Sequence, residues 1–392
     1  MDEMGRLLSK DYTVKLDDET LVKMYTVMCT LNAMDNVFYD AQRQGRISFY
    51  MTNYGEEACH VGSAAALQPN DEVFAQYREG CTHNQTLAAG VLMWRGFALQ
   101  DFANQCFSNE HDLGKGRQMP VHYGSRALHF QTISSPLATQ IPQATGAAYA
   151  LKREGKGRVV MCYFGEGAAS EGDFHVALNF AATLECPVIF FCRNNGYAIS
   201  TPTKEQYRGD TLHCELLGGD GIASRGAGYG LNTIRVDGND VLAVYDATQV
   251  SSRELAVRNR PVLIEAMTYR GGHHSTSDDS SRYRGSDEIK FWNENDNPLT
   301  RTRLLLESRS IWDSDKEAQL QQSARKRVLE VLSVAERAKK PSASQLFADV
   351  YDQLPAHLLQ QQQALKQHLE KYGEKYGLSE FASDTEYHNP SK

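Results

Sequence analysis

The chain has 392 residues, with 41 lysines and arginines against 49 aspartates and glutamates, and hence a formal net charge of −8. Its 41% hydrophobic and 23% charged residues are typical of a globular protein and exclude a disordered, collagen-like or coiled-coil chain. The absence of a basic stripe argues against a dedicated nucleic-acid-binding protein. No apolar run approaches the roughly 18 residues that a membrane helix needs.

The first 14 residues resemble neither a signal peptide nor a transit segment. We therefore expect either a protein that stays where it is made or a sequence that lacks its true start. Eight cysteines are scattered without a C-x-x-C pair, which favours reduced, mostly buried thiols over a disulfide framework or a zinc site. A chain of this length can bury a sizeable core without such cross-links.

The first half of the chain predicts helices followed by a βαβ unit. Residues 17–45 have an acidic start and apolar side chains at helical spacing, which predicts a helix. Residues 55–124 alternate short helical pieces with glycine-rich loops. A buried strand is predicted over 158–165, a helix over 172–185 and a second strand over 187–193. A βαβ unit implies a parallel sheet.

The second half predicts more strands and then helices. Strands are expected at 231–236 and 262–269, and the serine-rich stretch 271–287 is expected to be a surface loop. Beyond Trp312 the chain becomes helical, and a glutamine-rich helix covers about 355–372. The fold class is therefore α/β, with a parallel sheet flanked by helices. We divide the chain into an N-terminal helical extension (1–50), an α/β domain (51–310) and a C-terminal helical extension (311–392).

Two polar loops follow the two strands of the βαβ unit. The first is Gly165-Glu166-Gly167-Ala168 and the second is Arg193-Asn194-Asn195-Gly196-Tyr197. Both lie at the carboxyl ends of neighbouring parallel strands, where α/β sheets bind ligands. The Glu166 carboxylate, the Asn195 amide oxygen and the Tyr197 backbone carbonyl are oxygen ligands of the kind that Mg²⁺ prefers. The glycines and the following helix suit a diphosphate.

Taken singly, each loop is more often only a tight turn. A dinucleotide-binding fingerprint is the competing interpretation, but Gly165-x-Gly167-x-x-Ser170 lacks its third glycine. Glu166 would also point a negative charge at a pyrophosphate with no metal between them. The pairing of the two loops favours a metal-bridged diphosphate.

Gly165-Glu166-Gly167, followed after 26 residues by Asn194-Asn195, resembles the signature of thiamine diphosphate enzymes. Six further segments narrow the resemblance to one branch of these enzymes: RISFYMTNYGEE, GKGRQMPVHYG, ISSPLATQIPQA, GEGAASEGD, NNGYAISTPT and GGHHSTSDDSS. From about residue 20 to about residue 380, the chain resembles the α subunits of the branched-chain 2-oxo acid dehydrogenase decarboxylase component. The glutamate in the signature fits this branch better than the pyruvate branch. The resemblance implies the thiamine diphosphate-binding fold.

The resemblance also implies thiamine diphosphate, Mg²⁺ and K⁺ as cofactors, and it assigns residues to each. The Mg²⁺ ligands would be Glu166, Asn195 and Tyr197. The thiamine diphosphate contacts would be Tyr77, Arg78, Ser135, Leu137, Gly167, Ala168, Arg193 and His274. A K⁺ site that steadies one loop would use Ser134, Pro136, Thr139 and Gln140. The branched acyl pocket would be lined by Phe49, Gln76, Tyr77 and Leu137.

His274 is the catalytic residue that the resemblance implies for this chain. An imidazole near the reacting carbon can stabilise developing charge and move protons. Without the resemblance, the pair His273-His274 would more often be solvated or form a weak metal pair. Ser275 matches a phosphorylated serine, and a phosphate there would disorder the loop or repel the substrate. Gly285 stands at the family's second phosphorylation site.

The implied activity is oxidative decarboxylation of branched-chain 2-oxo acids with acyl transfer to a lipoyl group, in leucine, isoleucine and valine catabolism. The implied partners are a β subunit in an α₂β₂ tetramer, a lipoyl-bearing acyltransferase core, and a regulatory kinase and phosphatase. The implied location is the mitochondrial matrix.

Residues 80–88 and 211–220 are extra relative to the family pattern, as true insertions or as errors of the gene model. The alternatives are a pyruvate or acetoin dehydrogenase α subunit, and an assembly subunit disabled by these insertions.

Overall fold

A five-stranded parallel sheet forms the centre of the computed structural model, which describes residues 1–76, 87–208 and 221–383. The spatial order of its strands is β1-β2-β3-β7-β6, and β4 and β5 form a separate antiparallel hairpin. The strands are β1 Glu72–Phe74, β2 Val160–Gly165, β3 Val188–Asn194, β4 Tyr197–Ala198, β5 Thr201–Pro202, β6 Asn232–Asp237 and β7 Val262–Met267.

Strands β2 and β3 form the centre of the sheet because nearly every residue in them is apolar. Both are buried along their whole length. Side chains of alternating residues enter two different hydrophobic clusters, one on each face of the sheet. The predicted pair of strands and the parallel sheet are therefore confirmed, with boundaries shifted by one or two residues.

Helices cover both faces of the sheet. The α-helices in the described parts of the chain are α1 Asp18–Arg43, α2 Glu57–Ala65, α3 Leu87–Trp94, α4 Leu99–Phe107, α5 Gln140–Glu154, α6 Gly172–Thr183, α7 Thr203–Gln206, α8 Ala223–Gly228, α9 Val241–Asp246, α10 Glu254–Val257, α11 Ser286–Asn295, α12 Pro298–Ser308, α13 Ser314–Arg337 and α14 Ala356–Tyr372. A π-helical segment, Ala247–Arg253, joins α9 to α10.

The first helix is an integral part of the core. The Asp17 side chain caps α1 by accepting a hydrogen bond from the Thr20 amide at 2.7 Å, as the acidic start of the helix indicates. Leu31, Phe38 and other α1 residues share one hydrophobic cluster with α13 and with one face of the sheet. The division into three domains stays a prediction. Helices α1 and α13 share one hydrophobic cluster with the sheet.

The stretch 271–287 is an irregular loop as predicted until α11 begins at Ser286, but it is only partly exposed. Thr276, Ser280 and Arg284 are buried in it, although its composition is polar. The Arg284 guanidinium is buried because it donates hydrogen bonds to the backbone carbonyls of Arg270, at 2.7 Å, and of Gly272. Serine-rich composition predicted exposure here, but hydrogen bonds to the backbone compensate the polar groups for burial.

The remaining sequence predictions concern the cysteines and the membrane. Cys29, Cys59, Cys106, Cys162, Cys186 and Cys192 are buried free thiols, whereas Cys81 and Cys214 lie outside the described residues. Over the ranges given above, no helix combines the length and the apolar character needed to cross a membrane.

Candidate functional site

Loops after several strands meet at the carboxyl edge of the sheet. Gly165 at the end of β2 lies opposite Arg193 of β3, and the Glu166 amide donates a hydrogen bond to the Arg193 carbonyl at 3.2 Å. The Thr268 amide, just after β7, donates to the Asn194 carbonyl at 2.9 Å. The fold therefore brings together the two loops of the predicted diphosphate site. The segment that leads from β7 to His274 lies beside them.

The glycine-containing loop after β2 places a buried carboxylate at this edge. Glu166 is fully buried, and Gln206 Nε2 donates to its Oε1 at 3.4 Å. Gly167 and Ala168 begin a 3₁₀ turn, Ala168–Ser170, and helix α6 starts only at Gly172. The helix therefore begins at the predicted residue, and the 3₁₀ turn lies between its N-terminus and Gly167.

The two adjacent asparagines have different surroundings. Asn194 Nδ2 donates to Glu265 Oε1 at 2.7 Å and to the Tyr207 hydroxyl at 2.9 Å, and its Oδ1 accepts from the Gly196 amide at 3.1 Å. Asn194 therefore holds the loop together. Asn195 is also fully buried, but its side chain reaches towards α2 instead. This difference supports Asn195 as the residue available to a metal.

Glu56, at the start of α2, contacts both Arg193 and Asn195. Its Oε2 accepts from Arg193 Nη1 in a buried ion pair, and its Oε1 accepts from Asn195 Nδ2 at 2.6 Å. All three side chains have no exposed surface. Burial raises the pKa of Glu56, and the positive charge of Arg193 opposes that shift. Sequence reasoning did not assign a role to Glu56, although it lies in the segment RISFYMTNYGEE.

Tyr197 begins the β4–β5 hairpin directly after the asparagines. Gly196 has a φ of +88°, a conformation that favours glycine, and the turn places the Tyr197 amide 3.4 Å from Asn195 Oδ1. The Tyr197 hydroxyl donates to the Glu288 carboxylate at 3.1 Å. Because the side chain points to α11, the backbone carbonyl is the oxygen of Tyr197 that suits a metal.

The loop before α5 is held by Gln76. Gln76 Nε2 donates to the Pro136 carbonyl, its Oε1 accepts from the Ala138 amide at 3.2 Å, and Gln76 pairs with Ser134 in a short parallel bridge. The Thr139 hydroxyl donates to the Pro136 carbonyl at 3.3 Å. These contacts tie Gln76 to the loop that the resemblance assigns to K⁺. The same residue is predicted to line the acyl pocket.

Gln140 carries the clearest sign of an additional ligand in this loop. Its Nε2 donates to the Tyr163 carbonyl at 3.0 Å, but its Oε1 is buried and has no hydrogen-bond partner. Buried amide oxygens normally have a partner. An oxygen-binding cation is the kind of ligand that would satisfy this atom.

Ser135 and the buried His122 are hydrogen-bonded to each other. Ser135 Oγ lies 2.7 Å from His122 Nε2, and His122 Nδ1 lies 3.1 Å from the carbonyls of Met119 and Pro120. Carbonyls only accept, so Nδ1 carries the proton and Ser135 donates to Nε2. The sequence did not single out His122. It is one histidine in a glycine-rich stretch, and no second metal-binding residue type stands at a spacing that would suggest a metal site.

The catalytic candidate His274 lies half-buried in the segment after β7. Its amide donates to Asp278 Oδ2 at 2.8 Å, and the same oxygen accepts from the Tyr283 hydroxyl at 2.7 Å. His273 is exposed and contacts Ser280. Ser275, the phosphorylation candidate, is half-buried and its Oγ accepts from the Ser277 amide at 3.1 Å. Bonds within the segment thus position His274 and Ser275.

Two buried arginines support this segment and were not predicted. Arg270 Nη2 donates to the Tyr283 hydroxyl at 2.9 Å, and Arg284 donates to the carbonyls of Arg270 and Gly272. Burial and the neighbouring Arg284 lower the pKa of Arg270 to about 10. Serine-rich surroundings masked both residues in the sequence.

The remaining site candidates divide into described and undescribed residues. Phe49 is half-buried against the cluster that contains α1, and Leu137 packs against the cluster on the opposite face of the sheet. Tyr77 and Arg78 lie outside the described residues, as do 80–86 and all of the second extra segment.

Comparison with known proteins identifies the family. The profile of the family described as "Dehydrogenase E1 component" matches residues 25–344. The mitochondrial 2-oxoisovalerate dehydrogenase subunit alpha of Bos taurus is 58% identical over 381 residues, which cover 97% of this chain and 80% of the relative. The Caenorhabditis elegans protein of the same name is 55% identical over 378 residues, covering 96% of this chain and 83% of the relative. Subunit alpha 2 of Arabidopsis thaliana is 51% identical over 377 residues, covering 96% and 76%.

These matches confirm the resemblance drawn from the sequence, and they agree with the parallel sheet flanked by helices. They also extend over nearly the whole chain, including α1 and α13. The chain therefore belongs to the dehydrogenase E1 component family, among the 2-oxoisovalerate dehydrogenase alpha subunits.

Proposed function

We propose that this chain is the α subunit of a thiamine diphosphate-dependent enzyme that decarboxylates branched-chain 2-oxo acids such as 3-methyl-2-oxobutanoate. The observation that carries the proposal is the arrangement of Glu166, Arg193 and Asn195. All three are fully buried at the carboxyl ends of two adjacent parallel strands. The names of its relatives supply the substrate class.

The donor set suits a divalent cation and a diphosphate. Glu166 would supply a carboxylate oxygen to Mg²⁺, Asn195 its amide oxygen and Tyr197 its backbone carbonyl. Gly167 and Ala168 would receive the diphosphate on their backbone, and the buried Arg193 would bind it by charge-assisted hydrogen bonds. Tyr77, Arg78, Ser135 and Leu137 complete the proposed cofactor contacts.

Thiamine diphosphate, when bound, supplies the carbon nucleophile and the electron sink for decarboxylation. The residues of this chain bind, orient and move protons. His274 would hold or move a proton at its imidazole next to the reacting carbon. The α-subunit side of the acyl pocket would be lined by Phe49, Gln76, Tyr77 and Leu137. Its apolar side chains would accept a branched chain, with modest discrimination for each methylene.

A K⁺ ion would steady the loop before α5. Ser134, Pro136, Thr139 and Gln140 lie in one short stretch, and the buried Gln140 Oε1 needs a partner. Because Gln76 is tied to the same loop, an ion there would also fix the wall of the acyl pocket.

The proposal includes an assembly in the mitochondrial matrix, as the names of the relatives indicate. A β subunit would complete the site in an α₂β₂ tetramer, and a lipoyl-bearing acyltransferase core would receive the acyl group. A kinase and a phosphatase would act on Ser275. A phosphate there adds nearly two negative charges beside His274 and the Asp278 carboxylate.

The test is a substrate panel on the assembled enzyme. The chain is co-expressed with its β partner, and decarboxylation of 3-methyl-2-oxobutanoate is compared with decarboxylation of pyruvate and with carbon–carbon cleavage of acetoin, with and without Mg²⁺ and thiamine diphosphate. Preference for the branched acid supports the proposal. Preference for pyruvate or acetoin would contradict the pocket assignment. Cofactor binding without any turnover would favour the assembly subunit, and deletion of 80–88 and 211–220 tests whether the extra segments are the cause.

A further inference from the structure

We propose that Glu56 is a positioning residue that orients both a diphosphate ligand, Arg193, and a metal ligand, Asn195, with one buried carboxylate. The proposal rests on the proposed function, because it assigns Glu56 a role at the same cofactor site. Glu56 itself belongs to α2, outside both loops that carry the ligands.

Both oxygens of Glu56 are engaged, each with a different partner. Oε2 forms the buried ion pair with Arg193 Nη1, and Oε1 accepts from Asn195 Nδ2 at 2.6 Å. The three side chains are removed from solvent. In such surroundings a buried charge needs a partner, and the carboxylate and the guanidinium each supply the opposite charge to the other.

The contact with Asn195 fixes which end of the amide faces the metal site. A carboxylate only accepts hydrogen bonds, so it must face the Nδ2 group and not the amide oxygen. The amide oxygen then points away from Glu56, and lies 3.4 Å from the Tyr197 amide. A flipped amide would place two acceptors against each other. Glu56 therefore presents the oxygen that Mg²⁺ requires.

The backbone that carries Glu56 is anchored on the opposite side of the site. The Gly271 amide donates to the Tyr54 carbonyl at 2.9 Å, and the Thr268 hydroxyl donates to the Gly55 carbonyl at 3.1 Å. Gly55 has a φ of +90°, and a Cβ there would lie 2.4 Å from the Tyr269 carbonyl oxygen. The segment after β7 thus holds Glu56 in place through close backbone contacts, and a rigid support is what a positioning residue needs.

Glu57 provides a matched control. It is equally buried, but its Oε1 accepts from Asn32 Nδ2 at 3.1 Å and its Oε2 from the Gly55 amide at 2.9 Å. It therefore contacts α1 and the preceding turn instead of the ligand residues. Glu57→Gln makes the same chemical change at the neighbouring residue, whose side chain accepts hydrogen bonds from Asn32 and Gly55 and not from Arg193 or Asn195.

The experiment measures thiamine diphosphate binding by isothermal titration calorimetry on the α₂β₂ tetramer, at several Mg²⁺ concentrations. We expect Glu56→Gln to weaken cofactor binding about 10- to 100-fold and to raise the Mg²⁺ concentration needed for half-maximal binding, since supporting partners of a metal site have effects of this size. Glu57→Gln should bind as the wild type does. Unchanged binding in Glu56→Gln would overturn the inference. Failure of the wild type to bind at all would instead contradict the proposed function.

A double variant covers the case in which Glu56→Gln does not assemble. Glu56→Gln combined with Arg193→Met removes both charges of the ion pair and leaves no unpaired buried charge. If Glu56 acts through Arg193, adding Glu56→Gln to the Arg193→Met variant should weaken thiamine diphosphate binding much less than adding it to the wild type. The double variant should still need more Mg²⁺ for half-maximal binding than Arg193→Met alone, because Glu56 also orients Asn195. Independent, fully additive losses of diphosphate binding would contradict the coupling.

Discussion

The two halves of the candidate site are built differently. At the diphosphate end, Arg193 and Asn195 are fully buried and are held by Glu56, which lies 137 and 139 residues away in the chain. At the catalytic end, the hydrogen bonds from the His274 amide and the Tyr283 hydroxyl to Asp278 span less than ten residues, and Thr276 adds long-range bonds to Tyr50 and Arg43. The ligands of the first end lie at or directly after the ends of strands of the sheet, whereas His274 lies on an irregular segment whose own hydrogen bonds are largely local. We infer that the fold forms the diphosphate end and that a single modification can disturb the catalytic end.

The largest effect should come from breaking the buried ion pair. Arg193→Met leaves the Glu56 carboxylate buried without its cation, and we expect a loss of about 3–5 kcal/mol in the free energy of unfolding, measured by urea denaturation. The control is Arg309→Ala, which removes an exposed pair with Asp18 and should cost about 1 kcal/mol or less. Equal losses in the two variants would show that the diphosphate end is not an integral part of the fold.

The second prediction concerns Glu57, the buried neighbour of Glu56. Burial raises the pKa of Glu57 from 4.5 to about 7. The folded protein then binds more protons than the unfolded chain between these values, so stability falls as the pH rises from about 4.5 to 7 and stays lower above pH 7. Glu57→Gln removes this titration but keeps only one of the two hydrogen-bond acceptors, a cost that is the same at both pH values. Its free energy of unfolding relative to that of the wild type should therefore rise by up to about 3 kcal/mol from pH 5 to pH 8.

Denaturation of wild type and variant at pH 5 and pH 8 checks the sign. Glu19→Gln, at an exposed position in the first turn of α1, is the control and should change stability by less than about 1 kcal/mol at either pH. The same difference in stability between variant and wild type at pH 5 and at pH 8 would contradict the argument.

The third prediction tests the metal at the diphosphate end. Glu166→Gln keeps the shape of the side chain but removes its charge, and we expect decarboxylation by the tetramer to fall at least about 100-fold at limiting Mg²⁺. Excess Mg²⁺ should restore part of the activity. A variant with the wild-type dependence on Mg²⁺ would remove Glu166 from the proposed ligand set. Glu171→Gln, an exposed carboxylate in the same loop, serves as the control.

The smallest effect should come from the catalytic end. Ser275→Glu places a negative charge beside His274 and the Asp278 carboxylate, and repulsion of 1–2 kcal/mol corresponds to about a tenfold loss of turnover. Cofactor affinity should change little, because the contacts of Arg193 are elsewhere. Ser281→Glu, at an exposed position of the same segment, should retain activity. An equal loss in both variants would show that charge anywhere in the segment acts alike.

The sequence predicted the central strands well because the pattern that indicates each strand lies within the strand itself. Residues 158–165 and 187–193 are apolar runs bounded by glycine or proline, and both form buried strands within one or two residues of the expected limits. The helix at 17–45 was equally clear from its acidic start. The stretch 271–287 is largely the predicted loop, but the sequence did not predict that Arg284 is buried in it, since that burial depends on carbonyls that only the folded chain brings near.

The candidate site was predictable only in part for the same reason. Glu166, Arg193 and Asn195 follow strands and carry a recognisable motif, so pattern and resemblance both point to them. Glu56 and His122 come from distant segments and act by contacts with other side chains. A single sequence does not show which distant residues meet. Tyr77 and Arg78, assigned by resemblance, stay predictions.

Hydrogen exchange of the tetramer tests the difference between the two ends most directly. Backbone amides of 160–167 and 188–195 should exchange only by near-global unfolding, with or without thiamine diphosphate and Mg²⁺, because the sheet itself holds them. Amides of 271–285 should exchange through local opening at a much lower free energy, and Ser275→Glu should lower it further. Equal protection of the two regions, or loss of protection at 160–167 and 188–195 when the cofactor is removed, would contradict the account.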